Sequence, residues 1–306
     1  MTSDLPPLAL TGATGFVGRR VLALADGRPI RALTRRPRPP QPGVEWVVGD
    51  LNDSDALARL CDDAAAVLHI AGVVNAPDEA GFMAGNVTGT ANVLAAAADV
   101  PRFVHVSSLA AREPGLSLYG ASKAQGDALV MARAGDWVIL RPPGVYGPGD
   151  AEMRDLFSLA RLGLGLAPGG QDARISLIHV DDLARALLAL ADGGPGGEIL
   201  EIDDGSGGYR HADHAAAMGR ALGRGRVRMI PVGPGLLGAA AGMATLIARA
   251  QGVLPKLSRD RAAYLAHPDW TARGGNVRLQ TLWQPHITLD EGMADTVRDY
   301  RQRGWL

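Results

Sequence analysis

One cysteine, Cys61, stands in 306 residues, so no disulfide can close within the chain and a reducing compartment is expected. Charge of one sign is missing too: 31 basic residues face 32 acidic ones, and the net charge is −1. With no long block of either sign, the basic footprint of a nucleic-acid binder is absent. The first seven residues are polar and contain proline, without the apolar core of a signal peptide. The uncharged run Val232 to Ala248 is slightly short for a membrane span, rich in Gly and Ala, and closed by Arg249. It reads as a buried helix. A soluble, cytoplasmic protein without a membrane segment is therefore expected. What the chain does have is apolar content, 47%, enough for one large core or two coupled ones.

Lysine is nearly absent. Lys123 and Lys256 are the only two, and arginine supplies the rest of the positive charge. Lys123 closes the run Tyr119-Gly-Ala-Ser-Lys123, whose spacing puts phenol and ammonium on one helix face. A buried phenol beside an ammonium is expected to have its pKa pulled down, giving a proton donor and acceptor near neutral pH. Eleven residues before Tyr119, Val104-His-Val-Ser-Ser108 reads as a strand ending in two hydroxyls, Ser107 and Ser108. Strand ends are where an open α/β sheet presents its chemistry.

At the other end of the chain, the apolar strand Leu8–Thr11 runs into Gly12-Ala-Thr-Gly15-Phe-Val-Gly18 and then a helix through Val21 and Leu24. Glycines there permit a tight turn and close approach to a pyrophosphate, and free N–H groups at the helix start hold the anion. A second strand, Ile30–Thr34, is followed by Arg35 and Arg36. An NAD site usually has a carboxylate at this point, whereas arginine favours the 2′-phosphate of NADP. A third strand, Val44–Val48, ends at Gly49-Asp50-Leu51, where Asp50 meets an adenine or caps the next helix. A fourth, Ala65–Ile70, opens into Ala71-Gly72 beside the expected cofactor. Asn86 either bridges backbone groups near the site or sits on a helix surface. Trp137–Leu140, Arg174–Val180 and Gly197–Ile202 read as further strands, and Arg141–Pro148 as a proline-stiffened loop. Beyond residue 203 the periodicity is mostly helical.

These motifs resemble a short-chain dehydrogenase/reductase of the extended or atypical kind, in the NAD-dependent epimerase/dehydratase superfamily. The resemblance spans residues 8–190 and rests on T-G-A-T-G-F-V-G at 11–18, G-D-L at 49–51, V-S-S at 106–108, Y-G-A-S-K at 119–123, R-P-P-G-V-Y-G-P at 141–148 and H-V-D-D-L-A at 179–184. It implies an α/β fold: a Rossmann-type doubly wound parallel sheet over residues 1–150, to which 172–202 return. A smaller, mostly helical C-terminal substrate domain over 203–306 follows, with 151–171 contributing. The resemblance also implies roles. Ser108 would hydrogen-bond the substrate oxygen, with Ser107 the other hydroxyl in contention; Tyr119 would move its proton; Lys123 would hold the ribose and tune Tyr119. Gly12, Thr14, Gly15, Phe16, Val17, Gly18, Arg35, Arg36, Asp50, Leu51, Ala71, Gly72, Ser107, Pro142 and Val145 would line NADP together with Tyr119 and Lys123. No metal is implied.

Two departures bear on activity. The eleven-residue step from Ser108 to Tyr119 is shorter than in members acting on sugar nucleotides, and Arg35 stands where nucleotide-sugar epimerases usually carry an acid. Leu109-Ala110 also replaces the acidic pair that a 4,6-dehydratase needs. The expected function is an NADP(H)-dependent oxidoreductase acting on a small-molecule carbonyl or alcohol. A nucleotide-sugar epimerase, or a non-catalytic NADP-binding subunit or redox sensor, stays open, as do NAD as cofactor and assembly as a homodimer. If Arg35 reads the 2′-phosphate, NADPH binds more tightly than NADH and Arg35→Asp lowers or inverts that preference. Equal affinities in the parent protein, measured by fluorescence titration, would count against it.

Overall fold

The computed structural model describes residues 5–255 and 257–306. Six parallel strands come first in the chain: β1 (Leu8–Thr11), β2 (Ile30–Thr34), β3 (Val44–Val48), β4 (Ala66–His69), β5 (Arg102–Val106) and β6 (Asp136–Arg141). A seventh, Glu198–Glu201, pairs with β6 and completes one sheet in the order β3-β2-β1-β4-β5-β6-(198–201). The expected doubly wound Rossmann-type sheet is thus present. Its strand order reverses between β1 and β4, which opens a crevice at their carboxyl ends.

The strands read as near-continuous apolar runs because both faces are covered. In β1, Leu8 and Leu10 pack into one core while Ala9 points into the other, the period-two alternation of a strand. Helix α1 (Phe16–Leu24) and the Val180–Asp192 helix pack together on the first face. Helices α2 (Ser54–Cys61), α3 (Glu79–Met83), α4 (Gly89–Ala96) and α5 (Leu118–Met131) follow in order; α2, α4 and α5 supply Leu57, Val93 and Val130 to the second core. A third core around Tyr146, Phe157, Met293, Val297 and Tyr300 joins the C-terminal helix Leu289–Gln302 to the segment after β6.

Two expectations need correction. Arg174–Val180 is not one strand. It breaks at Ser176, whose hydroxyl donates to Asp203 at 2.7 Å and accepts from the Ala272 N–H at 3.0 Å. Arg174–Ile175 then pairs with Tyr209–Arg210 and Asp269–Trp270, and Leu177–His179 pairs with Gly144–Tyr146 inside the supposed loop. The second correction concerns the Gly/Ala-rich run. It forms an 18-residue helix, Pro234–Gln251, that buries Leu237, Ala241 and Ala248 but leaves its opposite face open. Among the described residues, no helix is long and apolar enough to cross a membrane.

A buried carboxylate on the Val180–Asp192 helix is among the ties that hold residues 203–306. Asp182 accepts from the backbone N–H groups of His286 (3.1 Å) and Ile287 (2.9 Å) and from Arg185 (2.8 Å). Asp182→Ala leaves two N–H groups unpaired in the interior and is expected to cost roughly 2–4 kcal/mol. Urea unfolding checks this; a change below about 0.5 kcal/mol would mean that the tie is dispensable.

Candidate active site

The crevice begins at the turn after β1. Gly12 adopts φ +74°, and a Cβ there would lie 2.7 Å from the Ala71 nitrogen at the end of β4, so only glycine lets the two strand ends approach. Helix α1 starts at Gly15 with no side chain capping it and no acid in its first turn. The N–H groups of Phe16, Val17 and Gly18 are then donors without an intrahelical partner, and Thr14 lies in the same turn. This cradle fits a pyrophosphate.

A directional hydrogen-bond chain runs beneath the cradle. Thr90 donates to the Asn86 carbonyl (2.8 Å), so its oxygen must accept from His69 Nε2 (3.0 Å), leaving His69 Nδ1 to accept from Thr11 (2.8 Å). Thr11 in turn accepts from the Ala71 N–H at 3.2 Å. Burial, with a smaller contribution from Lys123, pushes the His69 pKa down to about 3, which keeps the ring neutral as this direction requires. Asn86 sits in a single π-helical turn, Ala84–Thr88. Its amide accepts from the Val73 N–H (2.7 Å) and donates to the Val73 carbonyl and to Ser122 (both 2.9 Å). Of the two sequence alternatives for Asn86, the structure shows the bridge: the side chain is buried.

Helix α5 brings the phenol and the ammonium to the end of β5. Ser117 caps it, accepting from the Gly120 N–H at 2.9 Å. The half-buried Tyr119 lies near enough to the Ser108 side chain for that hydroxyl to favour the phenolate, and Ser108 accepts from the Ala110 N–H at 3.2 Å. Ser107 turns the other way: its buried hydroxyl lies near enough to Asp127 to lower that carboxylate's pKa. Ser108, rather than Ser107, faces Tyr119. The ammonium of Lys123 donates to the Val106 carbonyl at 2.8 Å, and burial lowers its pKa to about 8.

The expected tuning of the phenol is not what the structure shows. The Tyr119 pKa is raised, first by burial, against the pull of the Ser108 hydroxyl and with Asp127 adding to the rise. Lys123 spends its nearest contact on a carbonyl and exerts no matching pull.

Four residues without an assigned role in the sequence matter here. Arg141 meets Asp127 with two nitrogens, each at 2.9 Å. Asp127 follows Lys123 by four residues on α5, the same step that separates Tyr119 from Lys123, and this repeat is the signal that would have found it. Phe82 approaches the Tyr119 ring at 6.3 Å, and Tyr264 lies close enough for the two phenols to interact.

The remaining cofactor candidates scatter around the crevice. Gly72 lies beside the site: a Cβ there would come within 3.0 Å of Asn86 Oδ1 and 3.8 Å of Lys123 Nζ. Arg35 and Arg36 are exposed just past β2. Asp50 caps nothing in α2, which Asp53 caps instead; it holds its own turn by accepting from the Asn52 N–H at 2.8 Å. Leu51 packs on Gly89 of α4. Pro142 is buried and accepts from the Leu109 N–H at 3.0 Å, while Val145 is half-buried in the strand after it.

The chain resembles known proteins in sequence and in fold. Residues 8–203 match the NAD dependent epimerase/dehydratase family. The chain is 37% identical to a ceramide reductase of Caulobacter vibrioides over 98% of its own length and 96% of that protein's. It is 29% identical to a 3 beta-hydroxysteroid dehydrogenase/Delta 5-->4-isomerase of Mycobacterium tuberculosis, over 67% and 66% of the two chains. In fold it resembles the dTDP-glucose 4,6-dehydratase DesIV of Streptomyces venezuelae, solved with NAD bound, with a TM-score of 0.73 at 22% identity over 97% and 98% of the chains.

The buried ammonium sets a pH dependence. Lys123 titrates at 10.5 as a free side chain and at about 8 in the fold. Between these values the unfolded chain binds the extra proton, so this group's contribution makes stability rise with pH. Relative to Lys123→Met, the parent protein should gain stability from pH 8 towards 10.5 and show no such trend below. Denaturant melts across the window check this, and a pH-independent difference refutes it.

Proposed function

We propose, for a chain that belongs to the NAD dependent epimerase/dehydratase family, the activity of an NADP(H)-dependent reductase acting on a carbonyl of an apolar, ceramide-like substrate. Enzymes of this family are NAD(P)-dependent oxidoreductases or epimerases, and the chain is one of them. The observation that carries the finer reading is Tyr119 beside the Ser108 side chain, with Lys123 one turn further along the same helix. Aromatic neighbours of Tyr119, namely Phe82 and Tyr264 backed by Trp270 at 4.6 Å, support an apolar substrate. So does the likeness to a ceramide reductase along nearly the whole chain.

The nicotinamide, when bound, supplies the hydride to the carbonyl carbon. The chain's own residues do the rest. Ser108 donates to the carbonyl oxygen and fixes its position. Tyr119, kept protonated by its raised pKa, gives its proton to that oxygen as the alcohol forms. Lys123 commits one of its three donors to Val106 and has two left for ribose hydroxyls. The uncapped start of α1 holds the pyrophosphate, and Arg35 and Arg36 receive the 2′-phosphate.

Tyr119→Phe keeps the ring but removes the proton. Turnover should fall about 10²–10⁴-fold while NADPH affinity changes little. Lys123→Met should weaken both turnover and cofactor binding. Steady-state kinetics with an N-acyl 3-keto lipid, together with NADPH titration, separates the two. Full activity in Tyr119→Phe would sink the acid role. An inverted carbon centre with no NADPH consumed would replace the reductase reading with an epimerase.

A further inference from the structure

The Pro234–Gln251 helix is apolar all round, yet only one face is covered. Leu237, Ala241 and Ala248 face inward, where the first two pack with Ala262 of the Arg259–Leu265 helix. On the other side Leu236, Met243 and Leu246 are 62%, 65% and 68% exposed, with Ile247 beside them and Val253 and Leu254 just past the helix end. At 100° per residue, Leu236, Met243, Leu246 and Ile247 fall within one stripe. A soluble surface rarely leaves so many large aliphatic side chains together.

Charge identifies what covers the stripe. Between Asp213 and Asp260 the sequence contains no acid and seven basic residues. Arg249 is exposed in the helix's last turn. The Arg259 guanidinium lies 3.9 Å from where a Cβ on Gly242 would be. Gly242 and Arg249 are seven residues apart, so both cations border the same edge of the stripe. An apolar stripe with cations along one edge is the pattern of a helix lying in the plane of a membrane containing anionic lipid.

We infer that the Pro234–Gln251 helix, with Val253 and Leu254, docks the protein on an anionic bilayer surface and so presents the site to a lipid substrate. The placement of the helix fits that purpose. Its covered face rests on the Arg259–Leu265 helix, whose Asp260 accepts from the Leu118 N–H at 2.6 Å and whose Tyr264 neighbours Tyr119. One helix therefore separates the docked face from the reacting groups. The sequence reading of this run as plain core holds only for the covered face. The role in substrate delivery rests on the lipid-reductase reading; the docking itself does not.

Full-length protein is sedimented with vesicles of phosphatidylcholine alone or with about one-third phosphatidylglycerol. The parent should bind the anionic vesicles and lose them in high salt. A triple variant, Leu236→Ser with Met243→Ser and Leu246→Ser, should bind at least about tenfold more weakly. Its thermal midpoint should not change, because all three side chains are exposed. Arg249→Glu should also weaken binding. Turnover of a short-chain, water-soluble ketone should be equal in parent and triple variant, whereas turnover of a vesicle-embedded long-chain ketone should fall in the variant alone. Docking is overturned if the parent does not bind, or if the triple variant binds equally well. It is also overturned if the variant instead abolishes a concentration-dependent dimer in light scattering, which would give the face to a second copy of the chain. Vesicle binding that depends on these side chains, with no ketone turned over, would keep the docking and reject the reductase.

Discussion

A neutral histidine in the interior is the constraint on which the site depends. His69 lies between Thr11 and Thr90, and the hydrogen bonds on its two sides have a fixed direction only while one ring nitrogen lacks a proton. Burial guarantees that state. The chain it completes links the glycine turn after β1, through β4 and the π-helical turn, to Asn86, and Asn86 passes the link to α5 through Ser122. Ser122 closes it by donating to the Tyr119 carbonyl at 2.8 Å. The glycine turn after β1 and helix α5, which come from distant parts of the chain, are thereby held at one spacing. A protonated His69 would donate from both nitrogens and leave Thr11 without its acceptor.

The height of α5 along the sheet is fixed separately. Tyr119, Lys123 and Asp127 recur every four residues, and the lowest of the three meets two nitrogens of Arg141 at the end of β6. Burial raises the Asp127 pKa and the guanidinium opposes the rise, the balance typical of a buried pair that specifies geometry more than it adds stability. His105, stacked on His69 at 5.2 Å, fills the space below with a second neutral ring. Tyr119 thus reaches Ser108 from a helix that cannot slide.

How much of this was legible in the sequence follows from the range of each interaction. The glycine turn, the apolar strands and the Tyr119–Lys123 face are local, and local spacing showed them, while the parallel pairing of the strands came from the family resemblance. Asp127 also lay in plain view at the same spacing, but its partner Arg141 belongs to another element, and no motif couples the two. The break at Ser176 depends on Asp203 and Ala272, which nothing near Ser176 announces. The direction of the Tyr119 pKa is set first by burial, and spacing fixes a face of a helix without fixing how deeply the phenol is buried. Likewise, the composition of 232–248 shows an apolar helix on both sides of its axis. Only the packing shows which side was left open.

The carboxylate of Asp182 also sets a timetable. Its backbone partners, His286 and Ile287, lie 104 and 105 residues further along the chain. At synthesis rates of about 5–20 residues per second, the carboxylate waits roughly 5–20 s for them on the ribosome. During that interval the Val180–Asp192 helix is held by its apolar face and by the Arg20–Asp181 ion pair at 2.5 Å. The strands of the sheet are therefore synthesised before the segment that closes over them, and until it arrives Arg185 is the Asp182 carboxylate's partner from its own helix. A chain released early would lack Met293, Val297 and Tyr300, and with them much of the apolar filling of the third core.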